Sequence, residues 1–145
     1  MSILKSIGAV LAGLLFIAIS HTAVDKILEG LGIFPRPDQG LHVTWMLLLA
    51  LAYRTVLSIV GCYITAALAP SRPMLHALIL GFIGLVISTI AAIAFIPMNL
   101  SPAWYPVALA VVSVPCAWIA GMLAERKSQD LSLHEERMRR ASCEN

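Results

Sequence analysis

The chain has 145 residues, of which 59% are hydrophobic and only 12% are charged, and its formal net charge is +2. A soluble domain is nearer half apolar and a quarter charged, so this composition excludes an ordinary soluble domain, a disordered chain and a collagen-like chain. The low charge also argues against a nucleic-acid partner. The partner that fits this composition is the lipid bilayer, crossed several times.

Four segments are apolar over the roughly 20 residues that a helix needs to cross the hydrocarbon layer. The spans are predicted at 3–24, 45–69, 74–96 and 105–124, and a polar tail follows at 125–145. Strands of a membrane barrel alternate polar and apolar residues, whereas these segments are apolar on every face. The sequence therefore predicts an all-α membrane protein, with residues 1–124 forming a bundle of four transmembrane helices.

The first span has two interpretations. Lys5, the apolar residues after it and the small residues around Ala18-Ile19-Ser20 are also typical of a secretory signal with a cleavage site. The residues from Ser20 to Glu29 are instead compatible with a helix that continues, which favours a retained span. The other three spans keep the same orientation under either interpretation.

Basic residues are distributed unevenly among the loops. Lys5 lies at the N-terminal end of the first span, Arg72 lies in the second loop and five Lys or Arg residues lie in the tail, whereas the first loop has two and the third has none. The first loop also carries three acidic residues, Asp25, Glu29 and Asp38. Because cytoplasmic loops are enriched in Lys and Arg, the pattern predicts that both termini and the second loop are cytoplasmic.

Small residues recur every four residues in the last three spans. They are Ser58/Cys62/Ala66, then Ala77/Gly81 and Gly84/Ser88/Ala92, then Ser113/Ala117/Gly121. Membrane helices associate through close approach at small side chains, so these residues predict a tight bundle. A stripe left on the outside could also hold a homodimer together. We expect Cys62 and Cys116 to serve packing in the same way.

A weak internal repeat relates residues 61–69 to residues 116–124. Tyr63 aligns with Trp118, and Leu68-Ala69 aligns with Leu123-Ala124. An offset of two spans would make the chain two parallel helical hairpins, as in transporters with internal repeats. The alternative is that two spans running in the same direction share small residues and a basic end without common descent.

Arg54 is a charged residue in the interior of a predicted span, far from both of its ends. Placing Arg near the centre of a membrane helix costs roughly 2.5–3.5 kcal/mol, so it should face a partner in the bundle. At 1.5 Å per residue, Arg54 lies about 22 Å from the cytoplasmic end of its span, and His21 lies about 24 Å from Lys5 in the first. His21, Asp25 and Glu29 follow one another at four-residue spacing, which places them on one helix face.

Two interpretations of this polar cluster stay open. In one, Asp25 or Glu29 pairs with Arg54 while His21 titrates, and the four residues form a binding site for a substrate or proton that faces outward. In the other, Arg54 extends toward the outer surface, and an ion pair only joins the first two spans.

Several short segments resemble a family of small, uncharacterised bacterial integral membrane proteins with four helices. The matching segments are Gly32-Ile33-Phe34-Pro35, Ala52-Tyr53-Arg54, Leu68-Ala69-Pro70, Pro73-Met74-Leu75-His76-Ala77-Leu78 and Trp104-Tyr105-Pro106. The family usually has two glycines where this chain has Gly61-Cys62. The resemblance implies the four-span topology and a bacterial inner membrane, and it implies no activity.

No motif in the sequence indicates catalysis. A glycine-rich phosphate loop, a nucleophile elbow, a metal-binding Cys or His spacing and a pair of membrane carboxylates are all missing, so we expect no enzyme, no cofactor and no metal site. The first expectation is a structural or accessory component of the membrane, working as a homodimer or in a larger membrane complex. The alternative is a subunit of a small-solute or ion transporter that uses the polar cluster around Arg54.

Overall fold

The computed structural model describes residues 2–36 and 39–143, so Asp38 lies outside the described residues. They form four helices, α1 (Ser2–Gly30), α2 (Thr44–Leu68), α3 (Pro73–Phe95) and α4 (Trp104–Cys143), and no strand occurs among them. Each helix is long and apolar enough to cross a membrane. The prediction of an all-α bundle with four membrane spans is confirmed, and the chain is a multi-pass membrane protein.

Helix α1 extends six residues beyond the predicted end of the first span. The N–H of Ile33 donates to the carbonyl of Leu28, and the N–H of Gly32 donates to the carbonyl of Glu29. Gly32 has φ +71°, a left-handed conformation that glycine adopts at little cost, so these bonds form a Schellman cap. The segment from His21 to Glu29 is therefore helical and continues the first span.

Two prolines determine the corner between α2 and α3. Ala69 is extended because it precedes Pro70, and this conformation ends α2. Pro73 is the first residue of α3, where its missing N–H leaves no hydrogen bond unmade. The short turn between them holds Arg72 at φ 49°. The two helices are thus forced to run antiparallel and close together at this end of the bundle.

Helix α4 comprises the predicted span of 105–124 and also most of the polar tail that follows it. It has 40 residues and continues to Cys143, a length of about 60 Å, or about twice the hydrocarbon thickness. Residues from Arg126 to Ala141 are exposed, so the tail is an extension of α4 that leaves the bundle. After Gly121 the chain contains neither Gly nor Pro and is rich in strong helix formers, so nothing in it ends the helix.

Small residues form the contacts between helices, as the four-residue spacing predicted. A Cβ built on Gly13 of α1 would lie 2.6 Å from the carbonyl oxygen of Gly61 on α2 and would also collide with Thr65. A Cβ on Gly81 of α3 would collide with Ala117 of α4. Ala77 and Ala117 are fully buried. A Cβ on Gly61 would likewise collide with the side chain of Ile17, so α1 and α2 pack closely beside Cys62.

The four helices do not pack with two-fold symmetry. Hairpins α1–α2 and α3–α4 are both present, α2 packs against α3 and α4, and α1 packs against α2 and less extensively against α3. A two-fold relation between the hairpins would make α4 contact α1 as α2 contacts α3. Within the described ranges, α1 and α4 make no such approach, which leaves a gap between them.

Candidate functional site

The gap between α1 and α4 is part of a cavity of about 650 Å³. All four helices line it, together with the two loops at the end of the bundle where α1 ends and α4 begins. On α2 it extends from Ala50 to Cys62, about 18 Å along the helix axis. Its volume is within the range of roughly 300–1,000 Å³ that is usual for pockets enclosing small ligands.

Packed residues close the cavity at its inner end. Cys62, Leu80 and Ala117 form one buried cluster below it, and Ala66, Ala77 and Ala124 form a second one farther toward the α2–α3 corner. The cavity therefore occupies one half of the bundle, and the other half is packed through small side chains.

The charged wall of the cavity is an ion pair between α1 and α2. Nη2 of Arg54 donates to Oδ2 of Asp25 at 2.5 Å, and the hydroxyl of Tyr53 donates to Oδ1 of the same carboxylate. Nε of Arg54 also lies 3.4 Å from the Tyr53 hydroxyl oxygen. The side chains of Arg54 and Asp25 are 27% and 26% exposed. Arg54 is thus paired with Asp25 across the helix interface, an ion pair that both interpretations of the polar cluster include.

His21 lies one turn before Asp25 and contacts the same part of α2. Its Nε2 is 3.2 Å from the carbonyl oxygen of Arg54. Because a carbonyl only accepts hydrogen bonds, Nε2 carries the proton in this contact. The contact confirms that His21 and Arg54 lie at one level, as the count from the two basic ends predicted.

Glu29 does not join the ion pair. Its carboxylate accepts a hydrogen bond from Nζ of Lys26 at 2.7 Å, one turn away on α1. Glu29 still lines the cavity, near the loop end. Of the four predicted site residues, the structure brings His21, Asp25 and Arg54 together and leaves Glu29 at the rim. The partner of Arg54 is Asp25 rather than Glu29.

A backbone hydrogen bond joins the two loops at the cavity end. The N–H of Leu41 donates to the carbonyl of Leu100 at 2.7 Å. Gly40, with φ +71°, allows this approach, because a Cβ there would lie 2.7 Å from the same carbonyl oxygen. The first and third loops, which are distant in sequence, are thereby held beside the cavity.

Sequence reasoning assigned no role to several polar residues that line the cavity. They include Tyr105 and also Ser58 and Ser88, which the four-residue spacing predicts only as small packing residues. The feature of the sequence that could have indicated these residues is a hydroxyl group within an otherwise apolar span. The spacing that predicts close packing could not distinguish a hydroxyl that faces a neighbouring helix from one that faces a cavity.

Cys62 and Cys116 line the inner end of the cavity as buried free thiols. Sγ of Cys116 lies 3.8 Å from the carbonyl oxygen of Thr55, so α2 and α4 meet at this level. Across the described ranges, no three His, Cys, Asp or Glu side chains are grouped closely enough to hold a metal ion. The arrangement is that of an apolar cavity with one charged wall.

Comparison of the chain with protein-family profiles, curated proteins and solved structures gave no match. What the structure defines is a four-span membrane protein with an intramembrane cavity, and its function is argued from that cavity.

Proposed function

We propose that this protein is a subunit of a small-solute transport system of the bacterial inner membrane and that it binds its solute in the cavity between the four helices. The observation that supports this proposal is the cavity itself, which reaches the level of an intramembrane ion pair. Transporters of several folds hold their substrates near the middle of the bilayer, between helices that come from different repeats. An ionisable pair at this depth is costly to place in lipid, and such residues commonly belong to functional sites.

The proposed orientation places both termini in the cytoplasm. Arg72 and the basic residues of the α4 extension lie at the packed end of the bundle, whereas the cavity lies at the end that carries Glu29 and the two longer loops. The positive-inside rule then places the packed half toward the cytoplasm. The solute would enter the cavity from the outer half of the membrane.

We further propose that the protein is not an enzyme. Hydroxyl groups of Thr55 and Ser113 donate to carbonyls of their own helices, and the carboxylate of Asp25 accepts from Tyr53 and Arg54. This use of the polar groups positions helices and a ligand, and it does not provide a nucleophile with an adjacent base.

A matched pair of substitutions on α3 tests solute binding. Ala91 lines the cavity, whereas Ala94 lies on the exposed outer face of the same helix. The probe is 1-aminoanthracene, an uncharged fluorophore that brightens in apolar sites, added to protein in lipid nanodiscs. Because Phe at position 91 would occupy the cavity, Ala91→Phe should weaken probe binding about tenfold or more.

The control variant Ala94→Phe should bind the probe as the wild type does. Probe fluorescence equal to that of protein-free nanodiscs, or equal binding by wild type and Ala91→Phe, would contradict the proposal.

The accessory-component function is supported by a different feature, the α4 extension. Its exposed Leu131, Leu133 and Met138 offer apolar side chains to a partner outside the bundle. Removal of residues 126–145 should then abolish co-purification of a larger membrane complex and leave probe binding in the cavity intact. If the truncated protein keeps every partner of the full chain, the extension does not serve this function.

A further inference from the structure

At the Arg54–Asp25 pair, several hydrogen-bond donors have no partner among the described residues, while both acceptor oxygens of the carboxylate are bonded. This difference indicates what kind of ligand group fits beside the pair. The guanidinium of Arg54 has five N–H groups. One donates to Asp25 and one points toward Tyr53, and within the described part of the chain the other three have no protein partner. Both carboxylate oxygens of Asp25, in contrast, already accept a hydrogen bond. At the level of this ion pair the wall thus offers free donors and no free carboxylate oxygen, whereas the carboxylate of Glu29 lies at the rim, where one of its oxygens is paired with Lys26.

Hydroxyl groups elsewhere on the cavity wall can each donate one further hydrogen bond, although each can also accept. Tyr105 on α4, Ser58 on α2 and Ser88 on α3 line the cavity, and none of their hydroxyls bonds to another described residue. The neighbouring Thr55 and Ser113 bond within their own helices instead. A polar group that leaves water needs a partner, so an acceptor-rich ligand group fits between Arg54 and these hydroxyls.

Below the level of Arg54 the cavity wall is mainly apolar; Ser58 lies about one turn farther along α2, and the hydroxyls of Thr55 and Ser113 are bonded within their own helices. Along α2 the distance from Arg54 to Cys62 is about 12 Å. The walls over this depth include Leu14 and Ile17 of α1 and Leu80 of α3, and the packed half of the bundle closes the end. An apolar chain attached to the acceptor group would pack against these walls and would be kept out of water.

We propose that the solute is an amphiphile with a carboxylate head and a single apolar chain. The head binds the free N–H groups of Arg54, with the Tyr105 hydroxyl beside it, and the chain lies toward Cys62 and Cys116. Charge-assisted hydrogen bonds from a guanidinium favour an anionic oxygen over a neutral one, so the head provides specificity while the chain provides affinity. This inference rests on the proposed function, since it names the class of solute that the cavity takes.

The test compares heads on one chain length by displacement of 1-aminoanthracene from protein in nanodiscs of uncharged lipid. Decanoate carries the proposed head, 1-decanol carries a neutral head on the same chain, and butyrate carries the carboxylate with a short chain. The variant Asp25→Asn/Arg54→Gln replaces the ion pair by two amides and leaves no single charge behind. Arg126→Gln, an exposed arginine on the α4 extension, is the matched control.

The concentration of decanoate that displaces the probe should be about tenfold higher, or more, for the double variant than for wild type. The concentration for 1-decanol should be unchanged, which also shows that the double variant is folded. Each amphiphile partitions equally into the lipid of both samples, so the comparison isolates the head. Arg126→Gln should behave as wild type with both amphiphiles, and butyrate should not displace the probe where decanoate does.

Three results would overturn the inference. Equal loss for decanoate and 1-decanol would remove the role of the charged head, and displacement by butyrate as effective as that by decanoate would indicate a small water-soluble anion without a chain. In both cases the probe still binds, so the proposed function stands. If wild-type protein does not bind 1-aminoanthracene at all, the proposed function fails together with the inference.

Discussion

At the scale of single residues, the distinctive feature is Arg54, which lies within a membrane span, lines the cavity and pairs with Asp25. The Arg54–Asp25 pair has Tyr53 as a third member, and each group satisfies part of the hydrogen bonding of the others. Breaking such a pair by removing one partner leaves a charge uncompensated, which costs more than removing both. This asymmetry makes the pair accessible to a double-mutant cycle.

Arg54→Ala should lower the free energy of unfolding because it leaves the Asp25 carboxylate without its cation. Asp25→Ala/Arg54→Ala should recover part of that loss, with a coupling energy of about 0.5–3 kcal/mol. The measurement is unfolding by SDS titration in mixed micelles, followed by circular dichroism. The matched control is Arg126→Ala, an exposed arginine outside the bundle that should leave the midpoint unchanged. Strictly additive losses at positions 25 and 54 would show that the two side chains do not interact.

Much of this cluster was predictable from the sequence, and the reason is geometric. A helix rises by a constant amount per residue, so the levels of His21 and Arg54 follow from their distances to the basic ends of their spans. The choice between Asp25 and Glu29 did not follow, because it depends on Lys26, which pairs with Glu29 one turn along the same helix. Which carboxylate pairs with Arg54 depends on the positions of the neighbouring side chains. The height of each residue along its helix does not specify those positions.

At the scale of helices, packing depends on a few positions where no side chain fits. Gly13 and Gly61 face each other where α1 crosses α2, and Thr65 lies in the same contact as a fully buried side chain. Dispersion contacts and close backbone approach drive helix association in lipid, so an added methyl group at this crossing pushes two helices apart. Gly8, five residues earlier on α1, has no atom near the position of an added Cβ.

Gly13→Ala should destabilise the protein by about 1–3 kcal/mol, the usual cost of overpacking a close contact. Gly8→Ala should instead be neutral or stabilising by up to about 1 kcal/mol, because alanine is the better helix former and open space surrounds the position. Both variants are compared with wild type by SDS unfolding. Equal effects of the two substitutions would indicate that α1 does not pack against α2 through Gly13.

Helix boundaries were less predictable than helix contacts. A window of apolar residues locates a membrane span, but α4 continues for about 28 Å beyond Ala124, because helix propensity, and not hydropathy, determines where a helix ends. Its last exposed turns carry Glu135 and Glu136 four residues before Arg139 and Arg140, a spacing that supports an isolated helix in water.

At the scale of the whole molecule, the structure divides into a packed half and a half that encloses a cavity. The cavity was not predictable from the sequence, because it arises from the distance between α1 and α4, which no local pattern specifies. Small residues pack the inner half, whereas Ser58, Ser88 and Tyr105 line the cavity in the other half. Sequence periodicity thus predicted the bundle and its polar cluster but not the space between them.

The proposed topology predicts which loops meet which solution. Cysteines introduced by Gln39→Cys and Ser128→Cys, each in a background with Cys143→Ser, lie at exposed positions at opposite ends of the bundle. In intact cells, a membrane-impermeant maleimide should label the first and spare the second, and permeabilisation should make the second reactive. The native Cys62 and Cys116 line the cavity, so the Cys143→Ser protein without an introduced cysteine is labelled in parallel as the control for them. Labelling of position 128 in intact cells would invert the proposed orientation.

The missing contact between α1 and α4 also has a consequence for biogenesis. Helix α1 meets its principal partner as soon as α2 enters the membrane, since the two are consecutive and pack along Gly13 and Gly61. The cavity has no fourth wall until α4, the last helix to be inserted, is in place. A nascent chain that stalls after three helices therefore holds the Arg54–Asp25 pair without the wall that carries Tyr105, and the proposed binding site is complete only when α4 has joined the other three helices.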